Sequence, residues 1–192
     1  MRTARLASIL LLGTGLLAHC VWILEFFIPT GVSPVQDPVD ALLTANPVFR
    51  IAFAISGLAF MLAGPPLVRL SPVQWAGRIS AGAICTFGAG TLIAAAFPES
   101  SAPVSAVANF VFIAGAVTLI LWWPPGWRAF AAIAVGIVTL VWLATVISCQ
   151  LGPGHYAGIF TRALLVIRVL MLSVGLAFIV LTPVPRHAPR AV

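Results

Sequence analysis

Residues 159–181 read IFTRALLVIRVLMLSVGLAFIVL. As an α-helix of 1.5 Å rise this stretch is about 35 Å long, enough to cross a hydrocarbon core of about 30 Å. It carries two charges, Arg162 and Arg168, and otherwise offers lipid an apolar surface. Working back along the chain, similar runs occupy residues 128–149, 104–122, 78–97, 49–68 and 6–28. Pro29-Thr30-Gly31, Pro98-Glu99-Ser100, Pro124-Pro125-Gly126 and Gly152-Pro153-Gly154 separate runs, and Gly64-Pro65-Pro66 perturbs the end of the second. The expected fold is therefore all-α: an integral membrane bundle of about six transmembrane helices. It forms a single domain over residues 1–192, with no soluble domain.

The whole composition agrees. The chain of 192 residues is 61% hydrophobic and 7% charged, with a mean hydropathy of +1.14. Soluble domains carry roughly 25% charged residues, because their outer shell must be polar. The net charge of +6 comes from ten arginines without a lysine. These are spread between apolar runs and form no basic face, which excludes nucleic acid as a partner. The absence of Lys beside abundant Ala, Gly, Pro and Arg fits a GC-rich bacterial genome.

Charge also orients the bundle. With the N-terminus inside, cytoplasmic segments hold Arg2, Arg5, Arg69, Arg78, Arg128, Arg186 and Arg190. The opposite side holds Arg50 and Arg162. Basic loops stay in the cytoplasm, so both termini are expected there, in a multi-pass protein of the bacterial inner membrane. The first span follows Arg2 and Arg5 as a signal peptide would, and Leu17-Ala18-His19-Cys20 resembles a lipoprotein cleavage box. His19 sits where that box needs a small residue, and the apolar run continues through Val21-Trp22-Ile23-Leu24. The segment reads as a retained helix.

The four acids, Glu25, Asp37, Asp40 and Glu99, all fall at the outer side, where loop solvation or an outward-facing site would each account for them. Ionisable groups at membrane depth usually face the bundle interior and mark sites. Arg168 lies roughly 13 Å into the last span and His19 at a similar depth in the first. Glu25 and Arg162 lie roughly 5 Å deep, and Asn109 lies between the two levels. Two layers result: Glu25 with Arg162, and Arg168 with His19 and Asn109. On an ideal α-helix, residues six apart differ by about 120° in azimuth. Neither Arg162 and Arg168 nor His19 and Glu25 are then expected to share a face.

Candidate ligand-binding residues are Glu25, Asp40, Arg50, Arg162 and Arg168. His19, Glu99, Asn109 and His155 are secondary candidates. The guanidinium fork suits a phosphate or carboxylate, so a lipid headgroup or small anion is the expected ligand, with a partner subunit as a further option. The bland reading of Glu25 and Arg162 is a buried ion pair that fixes helix register. A lone deep histidine is more often a hydrogen-bonded core residue than a ligand. Haem would want two deep histidines, whereas His155 is in a loop and His187 in the tail, so no cofactor and no metal are expected. The cysteines, Cys20, Cys85 and Cys149, form no C-x-x-C and behave as small hydrophobes. The residues favour a protein without catalytic activity over an enzyme.

The alternative is a lipid-acting hydrolase drawing on Asp40, Glu99 and His155, with Ser101 or Ser105 as nucleophile. A small transporter lacks support, since the chain shows neither an internal repeat nor paired interrupted helices. An accessory subunit of a larger complex is a further alternative. Gly82, Thr86, Gly90 and Ala94, four residues apart, make a small-residue stripe for close helix packing or for docking a partner or second copy. Residues 39–43 have helical spacing and are expected to lie in the membrane interface as a short amphipathic turn.

Several short stretches together resemble a bacterial six-helix membrane family catalogued as domain of unknown function 998. They are the loop Ser33-Pro34-Val35-Gln36-Asp37-Pro38-Val39-Asp40-Ala41-Leu42, then Asn46-Pro47 into Phe49-Arg50 and Gly57, Phe97-Pro98-Glu99, and Gly158-Ile159-Phe160-Thr161-Arg162. The resemblance covers nearly the whole chain and implies the fold and orientation, but no activity. That family usually has a histidine near the start of the fourth span and a Glu-Arg pair opening the sixth. This chain keeps Glu99 and Arg162, and has Ser105 and Asn109, and Thr161, where those residues would stand.

Overall fold

The computed structural model of the chain describes residues 2–71, 75–122, 125–151 and 155–181. Pro72, the Trp123-Pro124 turn, the Gly152-Pro153-Gly154 turn and the tail Pro183–Val192, with Arg186, His187 and Arg190, lie outside the described residues. No strand occurs among those described. The helices are α1 (Arg2–His19), α2 (Leu42–Ala45), α3 (Pro47–Leu70), α4 (Trp75–Ala96), α5 (Ser101–Trp122), α6 (Pro125–Leu151) and α7 (Ala157–Leu181). All but α2 are long and apolar enough to cross a membrane.

The six long helices close a ring. Each packs on its neighbour in the order α1, α3, α4, α5, α6, α7, and α7 returns to α1. An even number of crossings brings both ends of the described chain together, where the Arg5 Nη2 donates to the Val180 carbonyl at 2.5 Å. The opposite end, formed by residues 27–46, 97–100 and 155–156, is the loop end. The ring is filled by Leu12, Leu16, Phe60, Phe87, Phe112 and Leu172.

Lipid supplies no hydrophobic drive between helices, so close packing and interhelical hydrogen bonds hold them. A Cβ added to Gly57 would lie 2.5 Å from the Leu92 nitrogen and 2.7 Å from the Gly88 carbonyl oxygen. The α3–α4 backbones thus approach as only glycine permits. Between α4 and α5, the buried Ser80 hydroxyl pairs with that of Thr118 and lies 3.2 Å from the Gly115 carbonyl. The stripe expected to pack α4 lies only partly inside. Gly82 and Thr86 are exposed, Gly90 is half-buried against Ala108, and Ala94 is buried.

Two expectations are corrected. The turn 39–43 does not lie on an interface: Val39, Leu42 and Leu43 are buried against Trp22, Phe49, Phe53 and Leu165, capping the loop end of the ring. Gly64-Pro65-Pro66 lies inside the second span, which α3 carries to Leu70. The amide hydrogens that the two prolines lack are missed only near the helix end.

The second correction concerns the first span. After His19 the α-helix tightens into a 3-10 helix over Cys20–Phe26. Three residues per turn put His19, Trp22 and Glu25 on one line, and all three are buried. His19 and Glu25 therefore share a face, which ideal α-geometry forbids.

Candidate functional site

The structure arranges the polar residues of the loop end in two tiers. In the upper tier, Arg162 Nε donates to Glu25 Oε1 at 2.6 Å and Nη2 to Oε2 at 2.5 Å. Its Nη1 donates to the carbonyls of Asp37 at 2.9 Å and Gly158 at 3.0 Å. Both side chains of the pair are buried. The Asp37 carboxylate accepts from the Ser33 amide at 2.8 Å, closing the loop on itself. The Val39 amide donates to Thr161 Oγ1 at 3.2 Å, and Gly158 lets the loop carbonyls of Pro34 and Asp37 press against α7. This tier is a clamp. It ties the first span and the 33–39 loop to the first turn of α7, and so aims the following residue, Asp40, inward.

Arg50 has a separate task. Its Nε and Nη2 donate to the Ala95 and Ala96 carbonyls at 2.8 and 2.9 Å, at the negative end of the α4 dipole. Asn46 starts α3 in the ordinary way, its Oδ1 accepting from the Val48 amide with Pro47 in the first turn.

The lower tier surrounds a cavity of about 30 Å³, room for about two water molecules. Its walls are His19, Asp40, Leu43, Phe53, Phe87, Thr91, Ala94, Ser105, Ala108 and Arg168. Arg168 is held from behind: Nη1 donates to Asn109 Oδ1 at 2.8 Å and Nε to the Leu164 carbonyl at 3.2 Å. Its guanidinium carbon lies 5.5 Å from the centroid of the Phe87 ring. Asp40 and Ser105 line the same wall, and burial pushes the Asp40 carboxyl above the ordinary carboxylate range. Among the described residues the ion pair in direct contact is Glu25–Arg162; Asp40 and Arg168 face the same cavity without closing one.

His19 completes the wall. It is 1% exposed, edged by Phe53, Phe60 and Phe87, and its Nδ1 lies 3.1 Å from Ser56 Oγ. Its Nε2 is buried without a hydrogen-bond partner. Such a group costs free energy unless something pairs with it.

The expected residues thus divide by task. Asp40 and Arg168, with His19 and Asn109, form the cavity and its support. Glu25 and Arg162 form the clamp, and Arg50 caps a helix. Glu99 and His155 are exposed at the loop end, outside the cavity wall. Sequence reasoning missed Ser56, Phe87 and Thr91. Ser56, a polar residue in the apolar run IAFAISGLAF, was the signal available. Ser105 entered as a nucleophile candidate and at the position of the family's histidine, and in the structure it shares the cavity wall with Asp40. All three cysteines are free thiols. Among the described residues no group of His, Cys, Asp or Glu could hold a metal ion.

The fold and its six apolar helices make this a polytopic α-helical membrane protein. No family model matches the chain, and neither a curated protein nor a solved structure is significantly similar to it.

Proposed function

We propose that this membrane protein binds an anionic oxygen group, carboxylate or phosphate, in the cavity beneath Asp40, and that Arg168 receives it. One observation carries the reading. A guanidinium deep in the bundle is fixed by two neutral acceptors, Asn109 Oδ1 and the Leu164 carbonyl, while the carboxylate that shares its cavity, Asp40, closes no ion pair with it among the described residues. Charges at membrane depth are costly without a partner, and the fork geometry of arginine suits these anions. Room for two water-sized groups matches two oxygens of a headgroup phosphate or of a small free anion. The ligand would be presented from the loop end. The arginine distribution favours that end facing outward from a bacterial inner membrane, with both termini cytoplasmic. Membership of the six-helix family that the loop motifs resemble belongs to the same proposal.

The test is untargeted mass spectrometry of what co-purifies in mild detergent, wild type beside Arg168→Gln and Asn109→Ala, with the remote Arg50→Ala as control. A lipid or small anion retained by wild type and Arg50→Ala, and lost from the other two, is the expected result. Identical profiles in all four would overturn the reading.

The presence of Asp40 and Ser105 on one cavity wall favours a second reading, acyl hydrolysis at the loop end. Ser105 would be the nucleophile and Asp40 its base. Labelling of wild type but not Ser105→Ala by a fluorophosphonate probe would support it, and equal labelling would dismiss it.

A further inference from the structure

We propose that the anion enters this cavity together with one proton, which Asp40 carries; the inference rests on the anion-binding reading above. Arg168 and the Asp40 carboxylate line the same small space. With Asp40 ionised the two charges cancel, and an incoming anion would be confined beside a like charge in a low-dielectric interior. With Asp40 protonated, the cavity carries the guanidinium charge alone. The carboxyl then becomes a hydrogen-bond donor to the anion.

The surroundings suit both forms. The Ser105 hydroxyl on the same wall can donate to a carboxylate or rotate to accept from the acid. Burial already pushes the Asp40 carboxyl upward, so the proton-carrying form reaches above the ordinary carboxylate range. His19, whose Nε2 is buried without a partner, lines the same space.

Few other groups compete for the proton. Around Asp40 stand His19 from α1, Arg168 from α7 and, within electrostatic range, Cys149 from α6. The α3 and α4 walls present Thr91 and the aromatic rings, and α5 presents Ser105 and, behind Arg168, Asn109. His19 is the one rival, and a variant separates it.

The experiment uses the full chain in detergent and two probes whose charge does not change over the range titrated. Sulfate, read by calorimetry, represents a free anion. Phosphatidylglycerol, read by native mass spectrometry, represents a headgroup. The pH is raised from about 4, the ordinary carboxylate value. A single linked proton predicts that affinity falls about tenfold per pH unit beyond the Asp40 midpoint. Asp40→Asn should bind with the low-pH affinity of wild type at every pH, and His19→Gln should keep the wild-type slope. Calorimetry of wild type at a pH above the Asp40 midpoint, in buffers of different ionisation enthalpy, should show close to one proton taken up per sulfate or lipid bound, a readout independent of how the variants fold.

Tighter phosphatidylglycerol than sulfate binding would name the headgroup as source, and the reverse a free anion. A flat wild-type pH profile, no proton uptake, or a slope that survives Asp40→Asn and vanishes with His19→Gln overturns the proton linkage while leaving anion binding intact. Failure of both probes to bind at any pH overturns the anion reading and this inference with it.

Discussion

Arg162 grips Glu25 across 137 residues of sequence through two parallel hydrogen bonds of 2.6 and 2.5 Å. The pair is buried, and the third nitrogen of Arg162 holds the loop carbonyl of Asp37. The clamp therefore sets both the register of the first span against α7 and the place where Asp40 enters the bundle.

Removing one partner leaves the other charge buried and unpaired, which typically costs about 3–5 kcal/mol. Arg162→Ala should fall in this range and Glu25→Gln should cost less, because Gln retains one acceptor. Thermal unfolding in detergent measures both. Equal stability of Arg162→Ala and wild type would show the clamp to be dispensable.

Gly158 tests the same contact without charge. A Cβ there would sit 2.5 Å from the Pro34 carbonyl oxygen and 2.7 Å from that of Asp37. Overpacking of this kind costs about 1–3 kcal/mol. Gly158→Ala should lift the 33–39 loop and speed its cleavage by protease, while the helices remain protected.

Arg50 is exposed and caps α4. A cation at a helix C-terminus contributes about 0.3–1 kcal/mol, screened by salt. Arg50→Ala should lower the melting temperature slightly, and raising ionic strength should shrink the difference from wild type. A loss as large as that of Arg162→Ala would contradict the capping role.

Asp40 gives stability a pH dependence of definite sign. Its carboxyl is pushed up by burial, against smaller opposing effects of Ser105 and Arg168. The folded state therefore holds the proton where the unfolded chain releases it. That contribution is complete below the unfolded value of 3.8 and is lost as pH rises through the folded value. Wild type should lose stability over this interval and Asp40→Asn should not. Melting curves at stepped pH decide the matter; parallel losses in both proteins would assign the titration elsewhere.

Much of this was legible from residue order. The six spans follow from hydropathy and length, because a helix that meets lipid must be apolar along its whole run. Glu25 and Arg162 could be matched by depth, since both lie one turn below a span boundary. Arg168 and Asn109 could be matched the same way, and the structure joins them at 2.8 Å. Position along a helix converts directly into depth, so a layer can be read without a fold.

Azimuth and loops behave differently. Whether His19 and Glu25 share a face depends on the winding of residues 20–26, and the switch to three residues per turn there turns both Trp22 and Glu25 into the bundle. Asp40, in a loop, had no assignable depth at all. It reaches Ser105 and the cavity of Arg168 because Arg162 and Thr161 pull the 37–39 backbone onto α7, and because Leu42 and Leu43 bury against the ring. The sequence alone determined that this chain is a membrane-spanning helical bundle and which charges lie deep in it. Only the tertiary structure decided which of those charges meet each other and which face an open space, because helix rotation and loop path are set by contacts between segments far apart in the chain.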